Sequence, residues 1–248
     1  MKLYKFITIL LIPFLLVSCS SKNKVEEDLS IEEMYTKAYN SFDKKNFETA
    51  SKEFIDIENR YPSNKFAINA LIMSAYSKYL DNDFAGTILL CDKFIRFHPG
   101  DENMPYILYL KGMSFYKQVS DVRRESGMSL KALEIFQNLS EQFPKTEYAK
   151  NVKNKMVILK NYIAGKEMYL IRMDMKNKNW TSAINRLQNL IQNSQESVMI
   201  PEALFRLTEC WTALGLPNQA EVYKKILDLN YPENTWTKKE IKLISLKE

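Results

Sequence analysis

Histidine is almost missing from this chain: His98 is its one imidazole in 248 residues. That excludes any site built from two imidazoles, and with it most zinc chemistry. Three cysteines cannot make a disulfide framework or a four-thiolate metal site. Six glycines leave few positions for positive φ and argue against a Gly-rich phosphate loop. The excess of positive charge is small as well, a net +5, far short of the basic faces that bind nucleic acid. No segment alternates apolar and polar residues long enough to demand a strand, and no nucleophile–base spacing, Walker motif or metal signature occurs. Apolar material is plentiful. At 46% hydrophobic and 12% aromatic, the chain has ample core and is not a disordered one. The counts lean against an enzyme and imply no cofactor.

The first residues read as a targeting segment. Lys2 and Lys5 precede a nearly unbroken apolar run, Phe6 to Val17, that Pro13 interrupts. A bilayer-spanning helix needs about 20 apolar residues, so this run is a signal and not an anchor helix. It ends Leu16-Val17-Ser18-Cys19, which resembles the bacterial lipobox, where the cysteine is lipidated and becomes the mature N-terminus. Ser20 follows in place of aspartate, so the pattern implies the outer membrane. Residues 1–18 are therefore expected to be removed, lowering the charge from +5 to +3 as two lysines leave. Residues 19–29 are polar, charged and free of aromatics, as expected of a tether.

The body is a repeat. A small residue is followed twelve positions later by proline at Ala50–Pro62, Thr87–Pro99, Ala132–Pro144 and Ala220–Pro232, and Ala183–Gln195 keeps the register without the proline. Within these blocks Phe54, Cys91, Phe136, Leu187 and Lys224 share one position, and Ile57, Phe94, Leu139, Leu190 and Leu227 the next helical contact position. Further small residues, Ala38, Ala75 and Gly112, precede the first three blocks, the last after an insertion of eight residues. This is the tetratricopeptide arrangement: a helix pair per repeat, small residues where helices A and B cross, and proline after helix B. The expected fold is all-α, a solenoid of about five helix-turn-helix repeats. The excess over the family period of about 34 residues falls in two places. One is a loop at Ser120–Ser129; the other is one long helix over Tyr148–Lys176. The expected division is an N-terminal half at 30–147, a C-terminal half at 148–236 and a charged tail at 237–248 that frays.

Taking Ala38, Ala75 and Gly112 as equivalent, helix A positions three before, one after and four after them face the concave groove. They are Tyr35, Tyr39, Phe42, Ile72, Tyr76, Tyr79, Tyr109, Met113 and Tyr116. Such rings either pack neighbouring helices together or line a binding surface; tyrosine suits a half-wet surface that grips peptides. Cys91 and Cys210 read as buried small hydrophobes, with a bridge between them conceivable in an oxidising compartment although they lie three repeats apart. Trp180, Trp211 and Trp236 read as core anchors, His98 as a surface or capping residue, and Glu26-Glu27 and Glu32-Glu33 as tether or helix-start charges.

A family resemblance rests on longer strings. Arg60-Tyr61-Pro62-Ser63 with Phe66-Ala67, Phe94-Ile95-Arg96-Phe97-His98-Pro99, Tyr109-Leu110-Lys111-Gly112, Ala183-Ile184-Asn185-Arg186, Leu214-Gly215-Leu216 and Asn230-Tyr231-Pro232 resemble, in order, the BamD (ComL-type) family of outer-membrane β-barrel assembly lipoproteins. The resemblance implies a non-catalytic scaffold, lipid-anchored through Cys19 at the periplasmic face of the outer membrane. Its implied partners are the POTRA domains of BamA, unfolded barrel precursors and other lipoproteins of the same (BAM) complex, with no nucleic acid. It also implies that the C-terminal repeats meet BamA, with Arg186 and Asn185 at the contact, and that the N-terminal groove receives precursor tails. Guanidinium suits a bidentate bond to a partner carboxylate. Two departures stand: Asp121-Val122-Arg123-Arg124-Glu125 is looser than the family's usual string there, and repeat four lacks its proline at Gln195, which leaves its exit angle open. The alternative is another periplasmic repeat lipoprotein, an adaptor for envelope integrity or peptidoglycan association.

Overall fold

A computed structural model describes residues 29–120 and 126–240. Among them are ten α-helices and no strand. They are α1 (Ile31–Asp43), α2 (Phe47–Arg60), α3 (Lys65–Leu80), α4 (Phe84–Phe97), α5 (Met104–Lys117), α6 (Gly127–Gln142), α7 (Glu147–Lys176), α8 (Trp180–Asn193), α9 (Ile200–Ala213) and α10 (Pro217–Asn230). Odd-numbered helices are the A helices of five hairpins and even-numbered ones the B helices, each packed on its neighbours in chain order. The loop in repeat three is shorter than the sequence suggests. α6 already begins at Gly127, and Ser129 lies buried within it.

The repeat shows in its joints. Ser30 caps α1 and Glu33 reaches back to the Ser30 amide, a reciprocal capping box. Four of the A-to-B turns place one residue in the left-handed region: Lys45 (φ 62°), Asn82 (φ 61°), Lys178 (φ 59°) and Gly215 (φ 73°). At the other end of the hairpin, all five B helices stop on the same backbone conformation. Tyr61, His98, Phe143, Ser194 and Tyr231 have φ between −129° and −136° and ψ between 39° and 51°. In four repeats a proline follows and keeps that residue out of the helical region. Ser194 adopts the conformation without one. Its N–H donates to Leu190 O at 2.9 Å, and the segment beyond it is held by Asn161 of α7, whose Oδ1 accepts from Ser197 Oγ (3.0 Å) and Val198 N (3.2 Å). Repeat four thus leaves its B helix in the common conformation, and tertiary hydrogen bonds hold the segment that follows where the other repeats have a pyrrolidine ring.

The small residues sit where the helices cross. Ala38, Ala50, Ala75, Thr87, Gly112, Ala132, Ala183 and Ala220 are all buried, as are Phe54, Cys91, Phe136 and Leu187 one turn on. Lys224, the polar member of that series, pairs with Asp228. Gly112 shows why size matters. A Cβ there would come within 2.6 Å of Phe136 Cδ1, and Phe136 is fully buried. Gly112→Ala gains about 1 kcal/mol in helix propensity but overpacks a full core, at a cost of about 1–3 kcal/mol. The expected outcome is a net loss near 1 kcal/mol and a lower thermal midpoint, and a raised midpoint would show that Phe136 can move aside.

α7 joins two cores that use different sides of it. Ala149, Val152 and Leu159 belong to the core of repeats two and three, while Ala164, Met168 and Ile171 belong to that of repeats four and five. The change of core falls between Leu159 and Ala164, inside the helix. Residues 148–159 therefore pack with the N-terminal half, not with the C-terminal half that the sequence division gave them to.

Candidate protein-binding surfaces

The rings at the predicted groove positions meet across the repeats. Tyr39 stacks near Phe42 (centroids 6.1 Å apart), Phe42 meets Tyr76 (5.8 Å), Tyr76 meets Tyr106 (6.4 Å), Tyr106 meets Tyr148 (5.6 Å) and Tyr148 meets Tyr109 (5.4 Å). One aromatic staircase thus crosses α1, α3, α5 and α7. Tyr39 is 52% exposed, Tyr148 is exposed, and Phe42, Tyr76 and Tyr109 are half-buried. Tyr109 donates to Asn151 Oδ1 at 3.3 Å, and Lys155 Nζ donates to the same oxygen at 2.7 Å. Burial raises the phenol pKa of Tyr79, Tyr106 and Tyr109, so all three stay neutral donors at any physiological pH.

The other groove positions divide differently. Met113 is 8% exposed and part of the core, because α5 is mostly apolar and lies enclosed among α3, α4, α6 and α7. Tyr35 is turned edge-on to Phe54 and touches Phe66, Tyr116 lies beside Phe136, and Ile72 packs on the core. These four link helices. Tyr79 pairs edge-on with Phe84 across its own hairpin. Tyr106 and Tyr148 are in the staircase but absent from the sequence-derived set. Tyr106 lies six positions before Gly112, outside the three-position register, and α7 had no register to extend.

Arg186 lies on α8 and is half-exposed, but it is not idle. Its Nη1 is 3.1 Å from Glu167 Oε2 and its Nε 3.2 Å from Asp174 Oδ2, both on α7. Ser182 Oγ donates to the same Asp174 oxygen at 2.8 Å. The guanidinium therefore ties α8 to α7, and its Nη2 makes no ion pair among the described residues. Asn185 beside it is exposed. A second cation cluster went unforeseen. Buried Glu202 of α9 takes Arg172 of α7 through two bonds (2.9 and 2.5 Å) and Arg206 at 3.4 Å, and Arg206 lies 5.0 Å from the Trp236 ring centroid. Lys239 lies over the same ring at 3.4 Å, so the segment after α10 is pinned to α9.

A family model described as an outer membrane lipoprotein, YfiO, matches residues 27–226, most of the ten-helix body. The chain belongs to the YfiO family. Among curated relatives, the outer membrane protein assembly factor BamD of Rickettsia prowazekii is 34% identical over 238 residues, 95% of each chain. That of Caulobacter vibrioides is 31% identical over 222 residues, covering 88% of this chain and 73% of its own. Among solved structures, a TPR protein of Thermus thermophilus overlaps 83% of this chain and 93% of that one, with a TM-score of 0.37 and 13% identity.

In this YfiO family member the cysteines of the body are buried thiols in separate cores, with burial pushing Cys91 and Cys210 each up to about 12. His98 ends α4 and packs on Phe94, as a capping residue does. Trp180 is a core residue, Trp211 packs half-buried on the same core with no acceptor for its indole N–H among the described residues, and Trp236 packs half-buried on Phe205 at the edge of the last core, beside Arg206. Cys19, the targeting segment, the tether and residues 121–125 and 241–248 lie outside the described residues. No helix among the described residues is long and apolar enough to cross a membrane.

Proposed function

We propose that this protein is a non-catalytic outer membrane protein assembly factor. It is tethered by lipid on Cys19 to the periplasmic face of the outer membrane and holds unfolded β-barrel precursors beside the POTRA domains of a BamA-type subunit. The observation that carries this reading is the aromatic staircase. Its steps across the helices, 5.8, 6.4 and 5.6 Å, lie close to the roughly 6.6 Å between alternate side chains of an extended chain. Barrel strands alternate apolar and polar residues with that period. An extended precursor segment would lay every second side chain against a ring while its backbone met the tyrosine hydroxyls. The relatives' name supports the assembly role, and half-exposed Arg186 on α8, whose Nη2 makes no ion pair among the described residues, supports a contact of the C-terminal half with a partner carboxylate.

The reading is tested by binding of the mature protein to isolated BamA POTRA domains and to precursor C-terminal peptides; retention of neither would end it. The anchor has its own test. Cys19→Ala is expected to move the protein from the membrane fraction to the soluble periplasm, and a variant that still sediments with outer membranes would contradict the lipid tether.

A further inference from the structure

Helix α7 is about twice the length of the helices around it. The other A helices have 13 to 16 residues and α7 has 30. Its own partner α8, of 14 residues, packs against the C-terminal half through Ala164, Met168 and Ile171. Residues 147–160 are packed by α5 and α6 through Ala149, Val152 and Leu159. Among the described residues, no B helix runs along the rest of that stretch. The stretch without a B helix of its own among the described residues is fourteen residues long, the length of α2, α4, α8 and α10, or about 21 Å at a rise of about 1.5 Å per residue.

Helical spacing brings positions 150, 153, 157 and 160 to one side of α7. They hold Lys150, Lys153, Val157 and Lys160, all exposed. Ile158 adjoins Val157, and each is 53% exposed. The far end of this side closes on a cleft of about 620 Å³ walled by Leu130 and Leu133 of α6 and by residues 192–197, with Lys160 and Ile163 of α7 between them. Within 147–160 four lysines face one acid, Glu147. Lys150 pairs with Glu147 and Lys160 with Glu196, but both pairs are solvent-exposed and weak. Lys153 makes no ion pair among the described residues. The helix macrodipole favours acids at the start of α7, so Lys150 gains nothing from its place there.

We propose that this uncovered face receives an acidic amphipathic helix of a partner protein, lying where a helix B would lie. Its apolar stripe rests on Val157 and Ile158, and its carboxylates meet Lys150, Lys153 and Lys160. The length of the bare stretch selects a helix of about four turns, and the lysines select its charge. Tyr148 is the one staircase ring in this stretch, but Lys150, Lys153, Val157, Ile158 and Lys160 belong neither to the staircase nor to the Arg186 clamp, so the site stands or falls independently of the contacts proposed above.

The test titrates the full mature protein with two designed 14-residue helical peptides that share one leucine stripe, one bearing glutamate and the other lysine on its polar face. Phosphatidylglycerol vesicles form a third arm. The glutamate peptide is expected to bind at least tenfold more tightly than the lysine peptide. Lys150→Glu/Lys153→Glu/Lys160→Glu should reverse that preference with circular dichroism unchanged, since all three side chains are exposed. Should the triple variant lose helicity, Lys153→Glu alone is expected to weaken the glutamate peptide at least threefold. In cells, a photo-crosslinker at Val157 is expected to join a segment that is acidic and apolar at helical spacing. Equal binding of the two peptides, binding of neither, preference for vesicles, or a crosslink to a basic segment overturns the proposal.

Discussion

Arg186→Glu is expected to weaken POTRA binding by more than tenfold and, unlike an ordinary surface charge reversal, to lower stability as well. The wild-type guanidinium stands between Glu167 and Asp174 at 3.1 and 3.2 Å. Replacing it with a carboxylate removes two half-exposed ion pairs and places three acids together across α7 and α8. Screened as these groups are, the stability loss is about 1–2 kcal/mol at low salt and smaller at high salt. Binding and folding effects are separable through the clamp. Glu167→Gln and Asp174→Asn keep Arg186 and free its donors, so each should leave POTRA affinity equal or higher while lowering the thermal midpoint slightly. If both weaken binding as much as Arg186→Glu does, the arginine acts through the α7–α8 packing and makes no contact of its own. Unchanged affinity in Arg186→Glu would move the partner contact elsewhere.

Tyr39→Ala with Tyr76→Ala is expected to reduce affinity for precursor C-terminal peptides about thirtyfold, at about 1 kcal/mol for each ring removed. Tyr39 suits this test because it is mostly open to solvent and touches only Phe42 among the rings, so its removal leaves the core intact. Tyr76 lies between Phe42 and Tyr106 and will cost some stability through both neighbours. Met113→Ala is the contrasting variant. It is buried in the core, and its loss should lower the unfolding midpoint without a selective effect on peptide affinity. Peptide binding measured at a temperature where both variants are folded decides between a gripping surface and rings that only join helices.

Five hairpins were readable in the sequence because Ala50, Thr87, Ala132, Ala183 and Ala220 mark positions that size alone controls. The one long helix was readable too, since no proline breaks the stretch that became Glu147–Lys176. Helical register also placed Tyr39, Phe42, Tyr76 and Tyr109 on the staircase. It failed for Met113, because α5 is enclosed by four helices and its buried residues fall on most of its circumference, so a period says little about direction there. It missed Tyr106 and Tyr148, which enter the staircase through the way α5 and α7 lie against α3. It foresaw neither Glu167 and Asp174 beside Arg186 nor Glu202 beneath Arg172 and Arg206, because those partners sit on other helices.

What the sequence alone determined is local: which segments are helical, where they turn, and which small side chains let pairs cross. Each follows from spacing within a few turns of one helix. The tertiary structure alone decided that the two cores use different sides of α7, that one stretch of it has no B helix of its own among the described residues, and that an arginine assigned to a partner first holds α8 to α7. Those outcomes depend on angles and offsets between helices, which arise from the summed packing of side chains far apart along the chain.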